Sequence, residues 1–260
     1  MNIITLVKQA PDTTQLSGSL DGLKLLAEGA PRVLNPWDEY ALETALQLVE
    51  AHGGSVTALM VGPAAATETL RTALAMGANQ AVLVDDPALA AADTLATART
   101  LAAAIGKLAP FDLIIGGRAG IEGNTGATAI QTAALLNLPL VSYVAALKTV
   151  DPAARTLTAV RLLDNERQIV ETPLPALLTV VKEINEPRFP TFMQLRKAKK
   201  ATIPTWNLAD IGLTAAEVAP QVSWLAELPP AGQARLELIE GSPAQAAAQL
   251  VERLSKQQII

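Results

Sequence analysis

The chain has 260 residues, 50% of them hydrophobic but only 3% aromatic, and a net charge of −5. That size suits one large domain, or one domain and an appendage, and the acidic balance argues against nucleic acid as the main partner. No cysteine is present, which excludes disulfides, thiolate metal sites and cysteine nucleophiles, and no apolar run reaches the roughly 20 residues of a membrane span.

Met1 to Val7 is apolar and is followed at once by Lys8 and Gln9. A secretory signal would put basic residues ahead of its apolar core, so Asn2–Val7 reads as a buried first strand of a cytoplasmic protein. A helix is predicted over Pro36–Ala51. Asn35 supplies an N-cap, Pro36 suits the first helical position, and Asp38 and Glu39 favour the positive end of the helix dipole. Trp37, Ala41, Ala45, Leu48 and Val49 recur at helical spacing and are expected to face a sheet. Gly53-Gly54 stops the helix. His52, the only histidine, sits at that end and reads as a helix C-terminal cation or surface residue.

Apolar runs at Ser55–Val61, Gln80–Val84 and Phe111–Ile115 then alternate with helical patterns at Thr67–Met76 and Ala91–Leu108. This alternation predicts an α/β fold, a mostly parallel Rossmann-like sheet with helices on both faces. Glycine follows two of the strands. Val61-Gly62-Pro63 precedes one helix. Gly116, Gly117, Gly120, Gly123 and Gly126 lead into a helix over Thr125–Leu136, with Asn124, Thr125 and Thr128 as side-chain donors. Such a stretch serves equally as a tight strand-to-helix turn or as a cradle whose backbone N–H groups hold phosphate. It fits neither G-x-G-x-x-G nor a P-loop.

After Leu140 the pattern becomes strand-like, at Val141–Val150, Thr156–Leu163, Gln168–Glu171 and Ala176–Val181, with turns at Asp151-Pro152 and Asp164-Asn165. Antiparallel strands are thus added to the parallel sheet. Residues 185–200 turn polar, with Pro187 and Pro190 around Phe189, and Phe192 and Met193 just before Arg196, Lys197, Lys199 and Lys200. Large apolar side chains in such a loop are costly in water unless something covers them, so the loop reads as a docking surface. The basic cluster either steers an acidic partner or is a solvated helix face. Prolines punctuate the remaining tail, which ends in a helix near Ser242–Ser255. A tail of this length is expected to be an arm draped over another chain. Three parts are expected: a nucleotide-binding α/β domain over 1–184, a recognition loop and basic helix over 185–205, and a C-terminal arm over 206–260.

Together these segments resemble the β subunit of electron-transfer flavoproteins. The resemblance covers about residues 3–203. It rests on Lys8–Thr13, Asn35–Glu43, Ala73–Ala78, Asp112–Ile114 and, most specifically, Val160-Arg161 through Leu174-Pro175-Ala176 to Asn185–Pro190 and Lys197–Lys200. The resemblance implies a heterodimer with an α subunit that carries most of an FAD, with this chain completing the FAD site. It implies AMP as a structural ligand here, or a second FAD if the protein is electron-bifurcating. Carried over, the nucleotide contacts Ala10 and Asn35, lies along Val61 and Gly62, and places phosphate on the loop of Gly123, Asn124, Thr125, Gly126 and Thr128, with Gly117 also counted as cofactor-binding. Lys8 through Thr13 approach the partner's flavin. Phe189, Phe192, Met193, Arg196 and Lys197 receive flavin dehydrogenases, and an acceptor oxidoreductase takes the electrons onward. No catalytic residue and no metal ligand is expected, because the flavin carries the redox chemistry.

The chain departs from the family pattern at three places. Ala127 replaces a glutamine and Ala129 a glycine in the phosphate loop. Gln168 stands where the family often has glutamate, and Phe192 where it usually has leucine. Two other readings of the residues stay open: a stand-alone nucleotide-binding module of the stress-protein type, and an adenylating enzyme. The latter needs a Ser-Gly-Gly-x-Asp-Ser loop after the first strand, which Lys8–Thr14 lacks.

Overall fold

The computed structural model of the chain describes residues 1–15, 29–223 and 238–260. At its centre β1 (Asn2–Leu6) pairs in parallel with β4 (Ser55–Val61) on one side and β6 (Leu113–Gly117) on the other. Beyond β4 stand β5 (Gln80–Val84) and the short β11 (Thr205–Trp206). Beyond β6 stand β10 (Ala176–Val180) and β7 (Leu140–Asp151), still parallel. The antiparallel β8 (Thr156–Leu162) and β9 (Arg167–Pro173) complete a nine-stranded sheet among the described residues. A separate ribbon is formed by β2 (Gln9–Pro11) and β3 (Arg32–Leu34).

Alternating strand residues feed opposite faces, as the two-residue period of a strand requires. Ile3, Val56, Ala58 and Met60 pack with α1 (Pro36–His52) and α2 (Thr67–Met76), through Ala41, Ala45, Leu70 and Ala73. Ile4, Leu6, Leu59 and Val82 pack with α3 (Thr94–Leu108) and α4 (Ala127–Leu135), through Leu101, Ala104 and Ala133. The alanines keep each helix close to the sheet. Burial on both faces explains why the central strands read as continuous apolar runs.

The boundaries shift for local reasons. Helix α3 starts at Thr94, not Ala91, because the Asp93 carboxylate accepts from Ala96 N at 2.8 Å and so caps it there. Helix α4 starts at Ala127 because Asn124 and Gly126 take left-handed φ values of 47° and 62°, which a continuing helix cannot hold. The ribbon and β11 are too short to show a period in the sequence.

The largest difference concerns the tail. Residues 206–222, expected as the start of an arm, pack on their own domain. Leu83 N donates to Pro204 O at 3.0 Å and Asp85 N to Trp206 O at 2.9 Å, which adds β11 to the sheet edge. Leu208 and Val218 bury against Ala96, and the free oxygen of Asp93 accepts from Gln221 N and Val222 N. Scattered prolines hid this because the segment follows a neighbouring surface instead of a periodic element. Part of the expected arm, residues 224–237, lies outside the described residues. Described residues 238–260 belong to a second compact unit that carries α6 (Pro243–Lys256), whose Ser242 and Gln245 form a capping box. None of its residues is buried.

Leu208→Ala should cost about 2 kcal/mol of stability in chemical denaturation, the price of emptying a small apolar site. A segment that merely brushed the domain would show no change.

Candidate functional site

Strand order turns at the centre of the sheet. The chain leaves β1 for β4 and β5 on one side, then crosses to β6 on the other. In open α/β sheets the crevice at such a turn, beyond the carboxyl ends of the strands, is where ligands sit. Here Lys8 follows β1, Gly117 ends β6, and the first turn of α1 lies across both.

Asp38 makes that junction. It is 5% exposed, and its carboxylate accepts from Lys8 N at 2.9 Å and Gly117 N at 3.1 Å. One side chain thus holds the ends of β1 and β6 and the start of α1. The contact demands glycine at 117, since a Cβ there would lie 2.5 Å from the Asp38 Oδ1 and 2.6 Å from the Trp37 carbonyl carbon. Burial pushes the Asp38 carboxyl up to about 7, and the bonds from Asn35 and from the Lys8 and Gly117 amides only partly offset it.

Asn35 was expected to cap α1 with its side chain. It makes no such bond. Its amide instead reaches the loop after β6, donating to Ala119 O at 2.9 Å and accepting from Ile121 N at 3.1 Å. Its backbone N donates to Lys8 O at 3.0 Å. Asn35 therefore ties the glycine-rich loop to β1. Trp37, expected against the sheet, sits half-buried at the crevice with the Arg118 guanidinium 4.5 Å from its ring centre. Arg118 Nη2 donates to Asn124 Oδ1 at 3.0 Å, while its Nε is buried with no acceptor among the described residues. Lys8 Nζ is paired with Glu122 across the same loop.

The expected contacts divide into groups. Asn35, Gly117, Gly123, Asn124, Thr125, Gly126 and Thr128 come together around this loop and the first turn of α4. Val61 and Gly62 lie at the same edge one strand away, where Gly62 N donates to Val84 O at 3.0 Å. Ala10 is fully buried in the ribbon that follows β1, and Thr13 is exposed on the turn Thr13–Gln15 beyond it. The roles of Asp38 and Arg118 are not visible in the sequence. A carboxylate at a helix start looks like a dipole partner, and only the strand order reveals the amides it meets.

The loop offers backbone N–H groups, hydroxyls, an amide and an arginine with an unused donor. Its one acid, Glu122, is neutralised by Lys8. This set suits an anion. Among the described residues no cluster of His, Asp and Glu could hold a metal ion, and no helix is long and apolar enough to cross a membrane. A cleft of about 230 Å³ lined by Asn2, Ser55, Thr57, Gln80 and Phe111 lies at the opposite edge of the sheet, away from these groups.

A second surface stands out. Phe189, Phe192 and Met193 are 93%, 77% and 69% exposed. They lead into α5 (Phe192–Lys199), whose N-terminus is closed by a capping box of Thr191 and Gln194. Arg196 and Lys197 are exposed on that helix.

The profile of the electron transfer flavoprotein domain matches residues 22–211. Over the whole of both chains, the protein is 37% identical to subunit CarD of the caffeyl-CoA reductase–Etf complex of Acetobacterium woodii. It is 36% identical to the electron transfer flavoprotein subunit beta of Thermoanaerobacterium thermosaccharolyticum, again over the whole of both chains. It is 35% identical to protein FixA of Bradyrhizobium diazoefficiens, over 95% of this chain and 89% of that one.

The buried carboxylate generates a pH prediction. Asp38 titrates near 3.8 unfolded and at about 7 folded, so the folded state binds the extra proton between those values. Stability is therefore lost as pH rises through that window, by at most about 4 kcal/mol. Glu39, raised by burial, acts in the same sense. Glu43, which the Arg188 hydrogen bond lowers despite its burial, acts in the opposite sense and only below its ordinary value of 4.5. Asp38→Asn should flatten the slope of the denaturation midpoint between about pH 5 and pH 7.

Proposed function

The chain belongs to the electron transfer flavoprotein family, among its β subunits, and we propose that it binds AMP in the β1–β6 crevice and completes the FAD site of an α subunit. β subunits of this family are electron-carrier subunits that pair with an α subunit. The observation that carries the AMP reading is the loop between Gly117 and Ala127, with the unused Arg118 Nε beside its turned backbone. In this reading the phosphate meets the backbone N–H groups of Gly123 to Gly126, the Thr128 hydroxyl and Arg118. Asn35 fixes the loop, and Val61 and Gly62 line the base or ribose. Ala10 closes the inner wall.

The flavin, when bound, takes up and passes on the electrons. This chain's part is to position it: Lys8 through Thr13 and the ribbon form the floor of the flavin pocket. The last segment, residues 238–260, is the arm that lies on the α subunit, since α6 leaves Leu250 and Val251 half-exposed and buries nothing within the described residues. Phe189, Phe192 and Met193 dock the flavin dehydrogenases that supply electrons to the pair, with Arg196 and Lys197 steering an acidic surface.

A second reading, FAD in place of AMP, rests on Ala127, which offers no side-chain amide to the phosphate. Nucleotides extracted from the co-purified heterodimer decide between them. AMP and FAD in equal amounts are expected. Two FAD per heterodimer would establish the second reading, and a crevice that yields no nucleotide would overturn both. Phe192→Ala should raise the KM for transfer from a dehydrogenase by about tenfold or more, with flavin content intact.

A further inference from the structure

Residues 187–200 carry the exposed aromatic side chains, yet the segment is far from loose. It has almost no core of its own, since Ala198 is the one buried residue of α5. Its order comes from polar bolts at both ends, each driven into a different helix.

At the start, Arg188 meets two acids of α1. Its Nε and Nη2 donate to Glu43 Oε2 and Oε1 at 2.7 and 3.0 Å, and its backbone N donates to Glu43 Oε2 at 3.2 Å. Its Nη1 and Nη2 also donate to the Glu50 carboxylate at 2.6 and 3.2 Å. Glu43 is only 4% exposed, so this pair is fixed in place by its surroundings. Three residues earlier, Asn185 Nδ2 donates to Tyr40 O at 3.1 Å and Thr44 Oγ1 at 2.8 Å, also on α1. At the far end Arg71 of α2 donates through Nη1 to Ala198 O at 2.8 Å and Ala201 O at 2.9 Å. The Ala198 carbonyl belongs to the last turn of α5 and also accepts from Ala201 N at 3.1 Å, while Ala201 lies just past the helix. Glu68 steadies Arg71 at 3.1 Å.

We propose that Arg71 and Arg188 are positioning residues that hold segment 187–200 rigid before its protein partner arrives. The inference rests on the docking role proposed above. Phe189 and Phe192 stand between the two bolts, so their approach angle is inherited from α1 and α2. Both helices are anchored in the main core through Ala41, Ala45, Leu70 and Ala73. Arg196, Lys197, Lys199 and Lys200 form no ion pair among the described residues, so the clamps fix the backbone while the cationic face stays free. A partner flavoprotein with an acidic rim around an apolar socket fits this surface. A rigid epitope loses less conformational freedom on binding than a loose one.

The test uses the FAD-loaded heterodimer and, as donor, a purified flavin dehydrogenase that reduces the unaltered protein. Arg71→Met removes one bolt, and Arg188→Lys keeps the charge but loses the paired geometry. In each variant amide exchange over residues 186–201 should quicken by about tenfold, and the KM for the heterodimer should rise by a similar factor with kcat and FAD content unchanged. Faster exchange with an unchanged KM would overturn the proposal, because order in the segment would then not serve docking. Unchanged exchange in both variants would overturn it too, because the arginines would not be what holds the segment. Phe192→Ala separates this from the docking role itself. It should raise KM without altering exchange, and an unchanged KM there refutes docking independently of the clamps.

Discussion

A single carboxylate organises the centre of this molecule. Asp38 accepts from the amide that follows β1 and from the last amide of β6, and so closes the point where strand order reverses. Burying an anion is costly, and two backbone amides with Lys8 nearby offset only part of it, as the raised pKa reports. The return is geometric. Helix α1 can start in only one place, and Gly117 is the residue that admits it.

Much of the surface chemistry follows from the course of α1. Its first turn presents Asn35 to the loop after β6 and Trp37 to Arg118. Its middle presents Tyr40, Glu43 and Thr44 to Asn185 and Arg188, and its last turns present Glu50. A helix of 17 residues, at about 1.5 Å per residue, therefore spans from the crevice to the aromatic segment as one rigid strut. Helix α2 runs beside it, starting after the Val61-Gly62 turn and offering Arg71 to the end of α5. In the Glu43–Arg188 pair the carboxylate is buried and the guanidinium partly exposed, and the desolvation of Glu43 offsets part of the attraction. Removing one partner alone is what destabilises. Such a pair specifies position.

The composition of the site agrees with the work of an electron-carrier subunit. Amides, hydroxyls and one arginine gather at the crevice. These groups bind and orient. The antiparallel strands β8 and β9 widen the sheet on one side, and β11 with residues 207–222 covers the other edge, where an open strand would expose unpaired backbone.

The sequence alone determined the alternation of strands and helices, the parallel sheet with its antiparallel extension, the glycine-rich loop, and the aromatic segment before the basic helix. Each of these is a local pattern: hydrophobic period, turn residues and helix starts act over a few positions, so they are readable in order along the chain. Tertiary structure decided that Asn35 reaches across to Ala119 and Ile121, that Asp38 closes β1 on β6, that Arg71 and Arg188 clamp residues 187–200, and that residues 205–222 return to their own sheet. Those contacts join residues 30 to 145 positions apart. A side-chain amide or carboxylate looks alike in sequence whether it caps its own helix or satisfies a distant backbone, and only strand order brings the distant partner within hydrogen-bond reach.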